Sequence, residues 1–314
     1  MNAASTGTPA LHGVLPVDKP SGPTSHDIVA QARRHFRTRS VGHAGTLDPM
    51  ATGVLVLLFG EGTKLSNVVT GGDKTYRARI ELGRSTDSHD AQGRTLSERE
   101  LSPDALDEQR LRAALASEAS RVLQVPPSVS AIKVDGERAY RLHHAGKPPE
   151  LDARPVTVRS LTLLERSARS FTLELCVSKG YYVRGLARDL ELALELPLHL
   201  AELRRTSSGC FALDQASPWP PPSDTSLIPL ERALRAIMPV LRLTEEGVLR
   251  ARQGKLLDVS DFIDDPRAST DASVVQGLLC AWITDAGIPV ALGRPSDDKF
   301  AIVRGFSAAV APGS

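Results

Sequence analysis

The alternation of apolar and polar positions predicts the elements of the first part of the chain. Residues 13–19, GVLPVDK, indicate a short strand, and residues 26–36, HDIVAQARRHF, have helical spacing with Ser25 as the N-cap. Residues 54–60, VLVLLFG, form an unbroken apolar run rich in branched side chains, which favours a buried strand. Residues 74–83, KTYRARIELG, alternate and predict a half-buried strand.

Further along, helices and strands follow each other irregularly. Residues 102–120 predict an amphipathic helix that starts with Ser102 as a cap and a proline in its first turn. Two strands are expected at 154–166 and 170–184, and helices at 185–196 and 227–237. After Met238 the pattern changes to short strands and turns with an acidic excess.

This mixture predicts the fold class. The spacing suits antiparallel strands, and the strict β-α-β alternation of a parallel sheet is missing, so we expect an α+β protein with a mixed, mostly antiparallel sheet and helices. A length of 314 residues favours about two domains. We predict a disordered N-terminus (1–10), a main domain (11–237) and a small β-rich domain (238–314). The stretch 217–226, SPWPPPSDTS, is expected to be a linker or a long loop.

The composition indicates the general class of protein and where its basic residues are concentrated. Apolar residues make up 41% and charged residues 24%, as in globular proteins, and neither a signal peptide nor a membrane-spanning segment is predicted. Three scattered cysteines indicate reduced thiols in a cytoplasmic protein, and no His/Cys cluster has metal-ligand spacing. Residues 30–84 hold nine Lys or Arg against four Asp or Glu, and residues 131–188 hold eleven against six. Such blocks suit a polyanion, or are ordinary solvated surface.

The candidate chemistry lies in VGHAGTLDPMATG, residues 41–53, directly before the predicted buried strand. Its single carboxylate, Asp48, precedes a proline, and the simplest interpretation is an Asp that starts a turn. A catalytic use is favoured by the three glycines, which allow close approach, by the strand that would hold the turn, and by His43 in the same turn. A lone carboxylate does not suit glycoside hydrolysis, which uses a pair, whereas it suits covalent catalysis.

A family resemblance is carried by this stretch and by others in the same order. VGHAGTLDPMATGVL (41–55) is similar to the signature of the bacterial tRNA pseudouridine-55 synthases. Matching stretches are DKPSGPTS (18–25), GEGTKL (60–65), DKTYRARIELGRSTDSHDAQG (73–93), PPSVSAIKVDGERAY (126–140), RPVTV (154–158), SKGYYVRGLARDL (178–190) and HLAELRRTSSGCF (199–211). The resemblance spans about residues 11–237. The C-terminal part resembles, loosely, the family's small PUA-like RNA-binding domain.

The resemblance implies an isomerase that converts uridine to pseudouridine at position 55 in the tRNA T-loop, on a base flipped out of the stack. It implies that Asp48 is the catalytic carboxylate, which either attacks the nucleoside or takes the 2′ proton. Arg184 matches the arginine that pairs with this Asp and keeps it ionised. Tyr76 matches the tyrosine that stacks on the flipped base and assists proton transfer at C5. Without the resemblance, Arg184 would be a surface charge at a strand end and Tyr76 a core tyrosine.

The substrate-binding residues are also taken from the resemblance. Tyr182 matches the second pocket tyrosine because it lies two residues before Arg184, although Tyr181 departs from the family's usual Thr. His43 matches the histidine that fills the gap left by the flipped base, by stacking; alone it would be a turn histidine with a structural hydrogen bond. Leu203 matches an apolar pocket residue, and would otherwise be core at a helix end.

Two further segments have implied roles. Lys19 and Pro20 match a Lys-Pro motif that we expect to be structural. Residues 126–155 match an insertion that folds over bound RNA, where Lys133, Arg138, Arg141 and Lys147 would meet phosphates.

The resemblance also implies the partners. We expect a stand-alone enzyme that binds the T-arm of tRNA, without metal or organic cofactor, membrane or obligatory protein partner, as a cytoplasmic monomer. Three alternatives remain: a synthase acting on another RNA or with a guide RNA, a tRNA-folding chaperone, and a carboxylate-based nucleosidase. The intact set of Asp48, Tyr76 and Arg184 counts against a purely non-catalytic protein, and the missing second acid counts against the nucleosidase.

Overall fold

The computed structural model describes residues 11–127, 133–134, 137–138, 151–266 and 278–307. The N-terminus 1–10, predicted to be disordered, lies outside the described residues, and so do Arg141 and Lys147 of the insertion. For Lys133 and Arg138 the backbone alone is described.

Within the described ranges the chain forms six α-helices and twenty strands. The helices are α1 (Ser25–His35), α2 (Ser66–Gly71), α3 (Glu108–Ala119), α4 (Val183–Leu194), α5 (Leu230–Ile237) and α6 (Glu245–Arg252). The strands are β1 (Gly13–Lys19), β2 (Val41–Ala44), β3 (Thr52–Phe59), β4 (Lys74–Leu82), β5 (Arg84–Thr86), β6 (Thr95–Glu98), β7 (Leu123–Gln124), β8 (Lys133–Val134), β9 (Glu137–Arg138), β10 (Arg154–Pro155), β11 (Val158–Arg166), β12 (Ser170–Val177), β13 (Leu198–Ser208), β14 (Phe211–Ala212), β15 (Ser217–Pro218), β16 (Ile228–Pro229), β17 (Val240–Arg242), β18 (Cys280–Ile283), β19 (Pro289–Ser296) and β20 (Lys299–Gly305).

A ten-stranded sheet organises the main part of the chain. Its order is β11-β12-β4-β13-β3-β1-β15, with β14 paired to β13, β16 to β1 and β2 to β3. Among the described strands, the pairs β13–β3 and β1–β15 are parallel, and the other seven pairs in this sheet are antiparallel. The predicted α+β class with a mixed, mostly antiparallel sheet is confirmed.

Strand β3 shows why its sequence is an unbroken apolar run. Successive side chains of a strand point to opposite faces of the sheet. Leu55, Leu57 and Phe59 enter a core with α1, α3 and α4, whereas Val54, Val56 and Leu58 enter a second core with α2 and α5. The strand is therefore buried on both faces, and the segment that precedes it is anchored to a rigid element. Strand β4 buries one face only, as its alternation predicts.

Helix α1 begins with a different cap from the predicted one. Thr24 is the N-cap: its hydroxyl accepts the Asp27 N–H at 3.1 Å, and the Asp27 carboxylate accepts the Thr24 N–H at 2.9 Å. This reciprocal pair satisfies donors that a helix start leaves unpaired. Ser25, predicted to be the cap, is buried, and its hydroxyl bonds the backbone of Leu47 instead.

Two other helices also depart from the prediction. Helix α3 begins at Glu108 and not near Ser102, because the Asp107 carboxylate accepts the Arg110 N–H at 2.6 Å and caps the helix there. Helix α6 lies in a region predicted to hold short strands and turns. Its start is fixed by the Thr244 hydroxyl, which accepts the Gly247 N–H.

The C-terminal part contains a four-stranded sheet, β17-β18-β19-β20, as the β-rich prediction required. It has a core of its own around Trp282 and Phe262. Ala281, Leu292 and Phe306, however, pack into the second core of the main part, so a domain boundary near residue 238 stays a prediction. Ser217 and Pro218 pair with β1, so the Pro-rich stretch begins as a strand of the main sheet.

Replacing Gly53 by Ala is expected to destabilise the protein strongly. Gly53 has φ +98°, and an added Cβ would lie 2.1 Å from the backbone oxygen of Arg205 on the paired strand. Backbone cannot yield as a side chain does, so we expect the free energy of unfolding to fall by more than about 2 kcal/mol. The control is Gly22→Ala, with φ +110° but nothing within 4 Å of the added Cβ. Equal losses in urea unfolding for both variants would contradict the close approach.

Candidate active site

A cavity of about 290 Å³ opens where the β2–β3 connection meets the start of α4. It is lined by five of the six predicted site residues, namely Asp48, Tyr76, Tyr182, Arg184 and Leu203. His43 is not among its lining residues and lies one strand away, on β2. Residues that are 155 positions apart in sequence therefore share one site, because the sheet order places β3, β13 and β4 side by side.

Buried side chains hydrogen-bond the backbone of the turn that carries Asp48. The Ser25 hydroxyl accepts the Leu47 N–H at 2.9 Å and donates to the Leu47 carbonyl at 3.1 Å. The Lys19 ammonium, fully buried, donates to the carbonyls of Pro20 at 2.8 Å and Pro49 at 3.2 Å. Burial lowers the pKa of Lys19 to about 8, partly opposed by the nearby Asp48 carboxylate. The structural role expected for the Lys-Pro motif is consistent with these contacts.

Arg205 is a second support that the sequence did not single out. Its side chain is 1% exposed, and its guanidinium donates to the carbonyls of Val54 at 2.7 Å, Gly45 at 2.9 Å and Thr46 at 3.4 Å. Backbone carbonyls in a buried irregular turn need partners, and one planar guanidinium supplies several donors. Arg205 thus fixes both ends of the loop around Asp48.

Asp48 and Arg184 form a bidentate ion pair. The Arg184 Nε donates to one carboxylate oxygen at 2.8 Å and an Nη donates to the other at 3.1 Å. The Arg184 side chain is 6% exposed and that of Asp48 is 34% exposed, so the carboxylate faces the cavity while the guanidinium lies behind it. Two parallel N–H···O bonds fix the plane of the carboxylate as well as its position. Arg184 lies in the first turn of helix α4, not at the end of the strand predicted over 170–184, since β12 ends at Val177.

Asp90 is a residue that sequence reasoning missed. Its carboxylate lies 3.7 Å from the Arg184 Nε and is almost fully buried. One of its oxygens accepts the Ser88 hydroxyl at 2.7 Å and the Gln92 N–H at 3.0 Å. The guanidinium of Arg184 is therefore held between two carboxylates. Asp90 lies in DSHDAQG (87–93), part of a stretch that carries the family resemblance, but no role was inferred for it from the sequence.

Tyr76 and Leu203 reach the cavity from neighbouring strands. In the β4–β13 register Tyr76 lies opposite Arg205, and Ala78 opposite Leu203, so these side chains point to the same face of the sheet. Tyr76 is half-buried and Leu203 buried. The alternative interpretation, which placed Leu203 at a helix end, was wrong in its secondary structure: Leu203 lies within the eleven-residue strand β13, whose pairing with β4 fixes the direction of its side chain.

The two adjacent tyrosines have different surroundings. The hydroxyl of Tyr181 donates to the Glu118 carboxylate at 2.7 Å, the ring is 8% exposed, and burial raises the pKa of this phenol. Tyr182 is half-buried and is the N-cap residue of α4. Because the hydroxyl of Tyr181 is occupied by a helix behind the cavity, Tyr182 is the better candidate for contact with a ligand.

The sequence predicted that His43 lies inside a turn, but it lies on strand β2. Its ring packs edge-on against His26 with centroids 5.3 Å apart, and its Nδ1 is buried without a hydrogen-bond partner. Burial, with the nearby charges of His26 and Arg205, lowers the pKa of His43 to about 4. The imidazole is neutral at physiological pH, which suits a stacking surface.

The depressed pKa of His43 predicts a pH-dependent stability. Unfolded histidine has a pKa near 6.5, so the stability contributed by neutral His43 is complete above pH 6.5 and lost as pH falls towards 4. Between pH 7 and pH 5 the wild type should therefore lose about 1–2 kcal/mol more of its free energy of unfolding than His43→Gln, which has no imidazole to protonate. Urea unfolding of both proteins at pH 7 and pH 5 measures the difference, and identical pH dependence would contradict it.

The charge around the cavity is strongly unbalanced. Its lining residues include the cations Lys74, Lys179, Arg184 and Arg205, against one carboxylate, Asp48. Lys74 is buried, bonds the carbonyls of Thr70 and Gly72 at 2.6 Å each, and has a pKa lowered by burial to about 8. Such a site attracts an anionic ligand.

Two absences concern only the part of the chain that the structure describes. No group of three or more His, Cys, Asp or Glu side chains is placed to hold a metal ion. No helix in these ranges has the length and apolar character needed to cross a membrane.

Comparison with known proteins identifies close relatives. A family model described as "TruB family pseudouridylate synthase (N terminal domain)" matches residues 33–183. The chain is 41% identical over 304 residues to tRNA pseudouridine synthase B of Arthrobacter sp. (strain FB24), across 92% of this chain and 99% of that protein. It is 43% identical over 296 residues to tRNA pseudouridine synthase B of Corynebacterium aurimucosum, across 90% of this chain and 97% of the relative.

Solved structures give the same architecture at lower identity. A Cbf5-Nop10-Gar1 complex matches with a TM-score of 0.69 and 24% identity, across 94% of this chain and 84% of that chain. An H/ACA RNP bound to a substrate RNA containing 2′-deoxyuridine matches with a TM-score of 0.68 and 21% identity, across 95% of this chain and 86% of the other. At this identity the likeness concerns the fold alone.

Proposed function

The chain belongs to the TruB family of pseudouridylate synthases and acts as a pseudouridine synthase on tRNA, and we propose that it modifies one uridine of the T-loop with Asp48 as its catalytic carboxylate. The observation that carries the proposal is the bidentate Asp48–Arg184 pair at the wall of a cavity rich in cations. The oriented carboxylate supplies the reactive group, and the cations suit the phosphates of an RNA.

The reaction rearranges one nucleotide without adding or removing atoms overall. The C1′–N1 bond breaks, the uracil turns, and C5 bonds to C1′. C5 then loses its proton, and N1 gains one. Asp48 either attacks the nucleoside or removes the 2′ proton, and both courses need an ionised carboxylate held towards the ribose. Arg184 donates to both oxygens of this carboxylate and so fixes its plane and position.

The other cavity residues would bind the base. Tyr76 stacks on the flipped uracil and assists proton transfer at C5, while Tyr182 and Leu203 close the pocket around it. His43, neutral and one strand away, stacks in the gap that the base leaves. We also propose that the protein acts alone and as a monomer, since its own residues complete the described cavity.

Loss of the C5 hydrogen gives a direct test. A tRNA transcript labelled with tritium at uridine C5 is incubated with the pure protein, without guide RNA or protein partner. One tritium released per tRNA is the expected result. Tight binding without release would favour the chaperone, and release only after a guide RNA is added would favour a guide-dependent synthase.

A further inference from the structure

A buried amide clamps the backbone just before the catalytic arginine. The Gln124 side chain, 2% exposed, accepts the Tyr182 N–H at 2.8 Å and donates its own N–H to the Tyr182 carbonyl at 3.1 Å. Both main-chain polar groups of Tyr182 are thus bonded by one side chain, as they would be by a neighbouring strand. Tyr182 is the N-cap of α4 and Arg184 is two residues further on.

The contacts around Gln124 continue along the same two segments. The Glu118 carboxylate accepts the Tyr181 hydroxyl, and the Val125 carbonyl accepts an Arg188 N–H at 3.1 Å. Residues 118–125 therefore hold residues 181–188 at several successive points. This stretch fixes both the direction in which the chain enters α4 and the first turns of the helix.

Gly185 leaves the space that the amide occupies. A Cβ added at Gly185 would lie 2.8 Å from the Gln124 Nε2 and 3.0 Å from its Cδ. The helix thus approaches the amide as closely as a residue without a side chain allows. The fit is local to the turn that carries Arg184.

Gln124 also lies at the root of the 126–155 insertion. In the two-stranded pairing of β7 with β10, Gln124 is opposite Arg154 and Leu123 is opposite Pro155. The strands that begin and end the insertion therefore meet at Gln124. A displacement of this root would be passed directly to Tyr182 and to the start of α4.

We propose that Gln124 is a positioning residue for the Asp48–Arg184 pair, through which the root of the 126–155 insertion sets the geometry of the catalytic carboxylate. The inference rests on the proposed function. It adds a residue that touches neither the cavity nor the ion pair: Gln124 acts through the backbone of Tyr182 and the first turn of α4.

The first test replaces the amide. Gln124→Met keeps the size of the side chain but removes both hydrogen bonds. At saturating tRNA the single-turnover rate should fall about 10- to 100-fold, as for a misplaced catalytic group, while the Kd for tRNA stays within about twofold of wild type. Gln31→Met is the matched control, because it removes a Gln–Trp219 hydrogen bond of 2.8 Å outside the site. It should leave both the rate and the Kd unchanged.

The second test uses a titratable substitute. In Gln124→Glu the protonated acid can accept and donate, as the amide does, whereas the carboxylate cannot donate to the Tyr182 carbonyl. The rate of Gln124→Glu relative to wild type should therefore rise at least about fivefold between pH 8 and pH 6, since burial raises the pKa of a carboxyl group. If the substitution only disturbed the packing, the rate of Gln124→Glu relative to the wild type would be the same at both pH values.

The outcomes separate this inference from the proposed function. The positioning role is overturned if Gln124→Met reacts as fast as the wild type, or if the rate of Gln124→Glu relative to the wild type does not change with pH. Either result leaves the proposed function standing. An inactive wild type overturns the proposed function itself. If Gln124→Met does not fold, the pH ratio of Gln124→Glu decides.

Discussion

Replacing Asp48 by Asn is expected to abolish pseudouridine formation. The amide keeps the size of the carboxylate but loses the charge and the basicity that both proposed courses of the reaction need. For a residue that carries the chemistry, a loss of about 10⁴-fold or more in the single-turnover rate is expected. The measurement is the rate on a tRNA transcript at saturating enzyme.

A matched control exists on the same chain. Asp18 forms a bidentate pair with Arg204, at 2.6 and 3.1 Å, and its side chain is 33% exposed against 34% for Asp48. Asp18→Asn should therefore lose a similar ion pair and keep its turnover. Asp48→Asn must also bind tRNA as wild type does, because RNA affinity comes mainly from contacts to phosphates. Residual turnover within tenfold of wild type would remove Asp48 from the catalytic role.

Replacing Arg184 by Lys is expected to cause the second largest loss. Lysine keeps the positive charge but cannot make two parallel bonds in one plane, so the Asp48 carboxylate loses its fixed orientation. We expect the single-turnover rate to fall about 100-fold, the size associated with a misplaced catalytic group. The Kd for tRNA should change little.

Stability measurements complete this prediction. Arg184→Met removes the charge and leaves the buried Asp90 without its cation, so urea unfolding should show a loss of about 3–5 kcal/mol. At the more exposed pair with Asp18, Arg204→Lys is the control for the turnover measurement and Arg204→Met is the control for the stability measurement. Full turnover in Arg184→Lys would show that charge alone suffices, contrary to the role assigned to the bidentate geometry.

The fold was predictable where burial alone decides the pattern. The apolar run 54–60 predicted β3 and the alternation at 74–83 predicted β4. Both predictions succeed because the burial of successive side chains in a strand follows directly from the order of apolar and polar residues. Helix starts were less predictable. Thr24 and Ser25 are both good caps by residue type, and only the tertiary contact of Ser25 with Leu47 separates them.

The site was predictable in part, and for a related reason. Asp48 could be singled out because glycines surround it and a predicted buried strand follows it, and the family resemblance added the distant Tyr76 and Arg184. Asp90, Gln124 and Arg205 are polar residues with no local signature. Their importance comes from the sheet order, from hydrogen bonds that span 58 to 160 positions of sequence, and from the ion pair between Asp90 and Arg184, none of which a spacing rule encodes.

The most direct test is pseudouridine mapping on unmodified tRNA transcript, incubated with the pure protein alone, with wild type, Asp18→Asn and Asp48→Asn compared in parallel. Conversion at one T-loop uridine by wild type and Asp18→Asn, with none by Asp48→Asn despite equal tRNA binding, is the result expected from a carboxylate oriented by Arg184. Conversion by Asp48→Asn, or conversion by wild type at a uridine outside the T-loop, would contradict it.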